Sequence, residues 1–331
     1  MRDDVLGGGR PVTRRCFFVG TMAAAGASLG ASLEERALAA GGGEGGAPVP
    51  KGEMPTGKIG NVTVSRLICG GNLISGHAHS RDLVYVSPLL KNYFTDEKVW
   101  ATWRACEEHG INTMICNPRD ERAVGLFREY REKRGGKIQW LAQIAPDPDD
   151  LKGAVTRAMD SGASAIFLLG NLGDRWVFDG RVDVIDRLIK LIKERGVPAG
   201  VAGHSIETPL ACEEAGIPVD FYMKTFHRTD YWSTRRPDQH KEVIENYSVD
   251  NYWDMEPDKT IAEMGKIQKP WIAYKVLAAG AIRPAKGFDH AFAHGADFAC
   301  VGMFDFQIAE DAAIAREAVA KHAKRSRAWM A

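Results

Sequence analysis

Eight short runs of apolar, β-branched and aromatic residues recur along this chain, at 67–69, 113–116, 138–144, 165–169, 199–202, 219–223, 271–276 and 298–303. Amphipathic stretches with helix-start chemistry separate them: Thr95 ahead of Asp96 and Glu97, Asp147 followed by Pro148, and Thr208 followed by Pro209. Between the fourth and fifth runs, Val182, Ile185, Leu188, Ile189 and Ile192 share one helical face, the spacing of a helix laid on a sheet. Strand and helix in alternation eight times predict a single-domain α/β fold, a (β/α)8 TIM barrel over residues 57–331. A doubly wound sheet is the alternative, but the first run is followed by no Gly-rich phosphate fingerprint. Two connections exceed the usual two to six residues and read as lid loops, one over 72–93 and one over 227–255. The second holds Tyr231, Trp232, Arg235, Arg236, Tyr247, Tyr252 and Trp253.

The first forty residues follow a different grammar. Thr13-Arg14-Arg15-Cys16-Phe17-Phe18 precedes an Ala- and Gly-rich run over 19–33, and Ala37-Leu38-Ala39 follows at cleavage-compatible spacing. This is similar to a twin-arginine export signal, and the run is too short and Gly-rich to anchor in a bilayer. The expectation is a signal over 1–40, a Gly/Pro-rich linker over 41–56, and a periplasmic or otherwise exported protein with no stable membrane insertion. Its partners would be the twin-arginine export machinery and a small-molecule substrate. With 43 basic and 43 acidic residues the chain has no net charge, and no basic stretch is interleaved with aromatics, which excludes a nucleic-acid platform. Cys69, Cys106, Cys116, Cys212 and Cys300 stand singly in apolar segments and read as buried free thiols.

Lys58-Ile59-Gly60-Asn61-Val62-Thr63-Val64-Ser65-Arg66-Leu67, then Gly70-Gly71-Asn72, resembles the opening of the aldo-keto reductases, where a β-hairpin closes the barrel bottom. His109-Gly110-Ile111-Asn112 with Glu121 and Gly125 is similar to that family's second-strand region. Gly203-His204-Ser205 is similar to its fifth-strand G-x-S, and Val301-Gly302-Met303 with Glu310 and Asp311 to its last strand and helix. Lys275 falls where the ferredoxin-like branch often carries a lysine. The resemblance implies a barrel with an N-terminal hairpin and carbonyl chemistry on an Asp, Tyr, Lys and His tetrad. Those four would fall at Ile115 or Cys116, near Asn117, at Gln143, and at Gly170 or Asn171. None carries the expected group, and neither Asn nor Gln releases a proton at neutral pH.

The candidate catalytic centre is therefore sought among His204, His227, Lys275 and Asp305, from the ends of the fifth to eighth strands, which should converge on one mouth. Lys275 alternates with Trp271 and Ala273, and a lysine is costly beneath helices, so this face is expected to be the barrel interior. The cofactor-binding candidates are Ser205, from the fifth-strand resemblance, and Gly280, Arg283 and Gly302, in the region after strands seven and eight where barrels bind phosphate; NADP is one cofactor this would take. His77 and His79 with His204 and His227 follow the strand order of a metallohydrolase barrel holding Zn or Mn. Three functions follow. The first is a barrel oxidoreductase with a non-standard acid, acting on a small polar, carbohydrate-derived substrate. The others are a metal-dependent lyase, isomerase or hydrolase, and a non-catalytic binding protein on a degenerate reductase scaffold.

Overall fold

A computed structural model describes residues 52–77, 79, 83–234 and 253–331. The predicted signal, residues 41–51 of the linker and the middle of the second lid, including Arg235, Arg236, Tyr247 and Tyr252, lie outside the described residues. The chain opens with an antiparallel hairpin of β1 (Thr56–Ile59) and β2 (Val62–Ser65), turned by Gly60 at φ 57. Eight parallel strands follow: β3 (Leu67–Gly70), β4 (Thr113–Cys116), β5 (Gln139–Ile144), β6 (Ala165–Leu168), β7 (Ala199–Gly203), β8 (Phe221–Thr225), β9 (Trp271–Tyr274) and β10 (Phe298–Val301). Pairing of β10 with β3, Ala299 opposite Leu67, closes the ring. Closure excludes the doubly wound sheet and bears out the (β/α)8 barrel with its hairpin.

Alternation along each strand builds two apolar layers. Ile68, Ile115, Leu141, Phe167, Phe221, Met223, Ile272 and Phe298 fill the interior, and Ile59, Val62 and Val64 of the hairpin join them from below. Trp140, Ile166, Leu168, Tyr222 and Trp271 face the helices. These are α1 (Val86–Tyr93), α2 (Asp96–Glu108), α3 (Glu121–Lys133), α4 (Leu151–Asp160), α5 (Gly170–Phe178), α6 (Val182–Lys193), α7 (Glu207–Glu214), α8 (Pro257–Met264), α9 (Pro284–Ala293) and α10 (Ile308–Lys321). The face of α6 is buried as its period predicts, with Val184 beside Ile185, Leu188, Ile189 and Ile192. The described cysteines are buried and free. Among the described residues no helix is long and apolar enough to cross a membrane.

Several local expectations shift. Thr95 caps α2 by accepting from the Lys98 amide, but α4 is capped by Asp150 rather than Asp147, because Asp147 accepts from Asp149 in a tighter turn. Thr208 lies inside α7, where its hydroxyl bonds Asp174 instead of capping. The first lid holds α1, and an additional helix, α5, precedes α6. The linker ends earlier than residue 56: Met54 is buried, the Pro55 carbonyl accepts from the Arg66 amide, and Thr56 opens β1.

The bottom of the barrel carries a clasp the sequence did not announce. Asp297, fully buried before β10, accepts from Arg325 at 2.9 Å and from Arg327 at 2.8 Å, and also from the amides of Trp271 and Met330. Arg66 and Arg325 sit over the Trp329 ring at 4.3 and 3.6 Å. The C-terminal tail is thereby tied to two neighbouring strands.

Candidate active site

The carboxyl ends of the strands enclose a cavity of about 940 Å³, within the range of small-molecule sites. Its wall includes Ile115, Cys116, Asn117, Gln143, Gly170 and Asn171, the positions where the resemblance looks for a tetrad, together with His204, His227, Tyr274 and Lys275.

His204 follows β7 directly and is 4% exposed. Its Nδ1 donates to Asp174 Oδ2 at 2.8 Å, which leaves Nε2 as the ring's acceptor. Asp174, in α5, also accepts from the amides of His204 and Ser205 and from the Thr208 hydroxyl. Four donors from the turn after β7 and from α7 thus hold one carboxylate, and the carboxylate fixes the imidazole. Burial pushes the His204 pKa down to about 4, with Lys275 and Lys224 acting the same way and Asp174 opposing. The ring is a neutral base throughout the ordinary pH range.

Tyr274 ends β9 on the interior face, with its ring edge-on to His204 at 5.5 Å between centroids. A Cβ built on Gly170 would lie 2.7 Å from the Tyr274 hydroxyl and 2.9 Å from His204 Cε1. An imidazole from β7 and a phenol from β9 therefore occupy the space that a side chain at the end of β6 would need. Gly170→Ala should displace both and cost activity about tenfold or more while destabilising the fold by roughly 1–3 kcal/mol, as overpacking does. Rate and urea-midpoint measurements on the same variant check the two effects.

Lys275 lines the cavity, but not by the predicted alternation. Trp271 and Ala273 face the helices, whereas Ile272 and Tyr274 face inward. The strand stops at Tyr274, and a left-handed backbone at Lys275, φ 59, breaks the period and brings the lysine to the mouth. It acts electrostatically on both His204 and His227.

The other candidates divide. His227 lines the cavity, but its Nδ1 donates to the Arg228 carbonyl at 2.8 Å and its Nε2 accepts from the Asp254 amide at 2.9 Å. Both nitrogens are used in joining the two ends of the second lid, so its ligand and catalytic assignments are corrected to a positioning role. Asp305 is also corrected: it accepts from Tyr93 of α1 and from Lys98 of α2 at 2.7 Å, and lies outside the cavity wall. His77 and His79 are at the wall, with His79 Nε2 against the Asn72 amide at 2.7 Å. Among the described residues no three His, Cys, Asp or Glu side chains gather as metal ligands, so the four-histidine site does not form. Gly280 and Gly302 line the cavity. Ser205 and Arg283 do not: the Ser205 hydroxyl accepts from the Glu207 amide, and Arg283 is the exposed residue preceding α9. Lys224 points outward from β8, its Nζ donating to the Thr225 carbonyl at 2.7 Å and facing Asp254 at 3.5 Å.

The sequence reading did not select Asp174, Tyr274 or Asp311. Asp174 and Asp311 sit in helices, and Tyr274 lies on the strand face opposite the one expected to be the interior. All three depend on which residues the barrel brings together.

No protein-family model matches the chain, and no curated protein matches it. Its fold is similar to two solved Pseudomonas aeruginosa structures described as aldo-keto reductases. The first has a TM-score of 0.53 at 17% identity, covering 81% of this chain and 95% of that one. The second has the same TM-score and identity, covering 80% and 96%. At this identity the likeness shows a shared (β/α)8 barrel fold.

Proposed function

We propose that this chain is an aldo-keto reductase-like barrel enzyme that moves a proton on a small polar, carbohydrate-derived carbonyl compound. The observation carrying this reading is the Asp174–His204 pair, its oriented neutral imidazole set in the cavity wall beside Tyr274. A general base must be deprotonated at working pH and fixed in tautomer, and burial and Asp174 supply these two properties. In the proposed step His204 Nε2 takes the proton from the carbon next to the carbonyl. The C–H electron pair moves into the carbon–carbon bond, and the charge arriving on oxygen faces Lys275 and the Tyr274 hydroxyl. Passage of the hydroxyl proton on that carbon to the former carbonyl oxygen, with return of the abstracted proton to the former carbonyl carbon, gives the isomer.

The fold family also implies a nicotinamide dinucleotide. Its phosphates would lie beside β9 and β10, where the described wall offers Leu277, Ala278, Ala279, Gly302, Phe304 and Gln307, with Asp311 as the charged group. Lys275 acts on the two histidines, and Arg283 is outside the wall. These residues do not fit the group, and no step is routed through it. The reductase reading keeps one supporting observation, that His204 fills the space of a side chain at Gly170, where the resemblance expects the family's histidine. Export by the twin-arginine route belongs to the proposal on the strength of residues 13–18 alone.

Incubation with trioses, pentoses and hexoses in deuterium oxide, followed by proton NMR, tests the reading. Loss of the α-proton signal in the wild type and its retention with His204→Gln is the expected result. Absence of exchange across the set, together with histidine-dependent oxidation of NADPH by a carbonyl substrate, would replace proton transfer with reduction.

A further inference from the structure

Asp311 is 4% exposed in the first turn of α10, yet it belongs to the cavity wall beside Gln307, Phe304 and Gly302. It takes no part in the Asp174–His204 chemistry. Among the described residues none donates a hydrogen bond to its carboxyl, and its oxygens are not among the sealed atoms that lack a partner, so they open onto the cavity. Burial, followed by the neighbouring Glu310, lifts its pKa to about 7. Its location sharpens the point. Barrels commonly bind phosphate with the loops after the last two strands and the N-terminus of a following helix. Here β10 leads through a short turn at Asp305–Gln307 into α10, and the group presented to the cavity is an acid.

We propose that Asp311 makes this end of the cavity a hydroxyl-recognising subsite, which selects unphosphorylated sugars and rejects their phosphate esters. A sugar hydroxyl supplies the donor the carboxyl lacks, whereas a phosphate brings like charge against it and has no proton to give when fully ionised. Gln307 can complete the contact through its Nε2, since its Oε1 accepts from the Phe304 amide. The inference rests on the proposed function only in taking the ligand to be carbohydrate-derived.

Ligand-observed NMR titration of the barrel with glucose, fructose and ribose, each beside its terminal phosphate ester, tests the subsite without requiring turnover. The sugar should bind at least about tenfold more tightly than its ester, and Asp311→Asn should shrink that gap by about tenfold. In the wild type the gap should also be wider at pH about 8, where the carboxylate is ionised, than at pH about 6. This second measurement needs no variant and holds if Asp311→Asn folds poorly. Equal or tighter binding of the esters, a gap unchanged by both Asp311→Asn and pH, or no binding of any of the three sugars would overturn the inference. Proton exchange without this preference removes the subsite alone, and the preference without exchange removes the proton-transfer reading alone.

Discussion

Replacing His204 by Gln is expected to lower the exchange rate by about 10²- to 10⁴-fold, the usual contribution of a positioned general base. Asp174→Asn should come close to it. An amide offers one acceptor oxygen to the donors of His204, Ser205 and Thr208 that now converge on a carboxylate, and it gives Nδ1 no anionic partner. The imidazole then loses the bond that keeps Nε2 unprotonated. Initial rates for both variants, with circular dichroism to show that the barrel is intact, measure the effect.

The pH dependence follows from the same burial. With its pKa near 4, His204 stays a base from pH about 8 to about 5, so the rate should be flat across that window and fall towards pH 4. Stability moves in the same direction. The unfolded histidine titrates near 6.5 and the folded one near 4, so as pH falls the unfolded chain takes the proton first. The stabilisation is fully present above pH about 6.5 and is lost down to about 4, on the order of 3 kcal/mol for this one group. His227 and His290, which burial also holds below the ordinary histidine value, add in the same sense. Urea midpoints from pH 7 to 4.5 should therefore drop steadily.

The largest stability loss is expected at Asp297. Arg325 and Arg327, with side chains 1% and 4% exposed, both terminate on its carboxylate. Asp297→Ala leaves two guanidinium groups without their buried anion and also removes an acceptor for the Trp271 and Met330 amides. Breaking a buried ion pair from one side costs about 3–5 kcal/mol, a large part of a typical domain's net stability. A fall of that size in unfolding free energy, with the tail becoming protease-sensitive first, is the expected outcome. A change below about 1 kcal/mol would show that the clasp is ornamental. The clasp lies at the foot of the strands, opposite the cavity, so its loss should leave the chemistry of the surviving folded fraction unchanged.

The barrel was legible because its signals are local. Each strand is a short apolar run, each helix such as α6 carries a 3.6-residue period, and Thr95 caps α2 with its own side chain. Such features depend on neighbours a few residues apart and survive without knowledge of the rest. Parity was not local in the same way. Trp271 and Ala273 were expected inside and lie outside, because an all-apolar parallel strand is buried on both faces and does not mark which one is the interior. Lys275 reached the cavity for a different reason, a left-handed residue at the strand end.

The site was legible in part. His204 and Lys275 could be named from their positions at strand ends, since a closed barrel brings strand ends together. What each would do was settled by partners far away in sequence: Asp174 for His204, Tyr93 and Lys98 for Asp305, Asp254 for His227. Hydrogen bonds across 27 to 212 positions leave no mark in spacing or composition. The amino-acid sequence by itself determined the alternating elements and the end of the barrel at which polar groups gather. Only the tertiary structure decided which of them became a held base, a loop tie or an outer ion pair, because a side chain's chemistry is set by burial and by the donor that folding places against it.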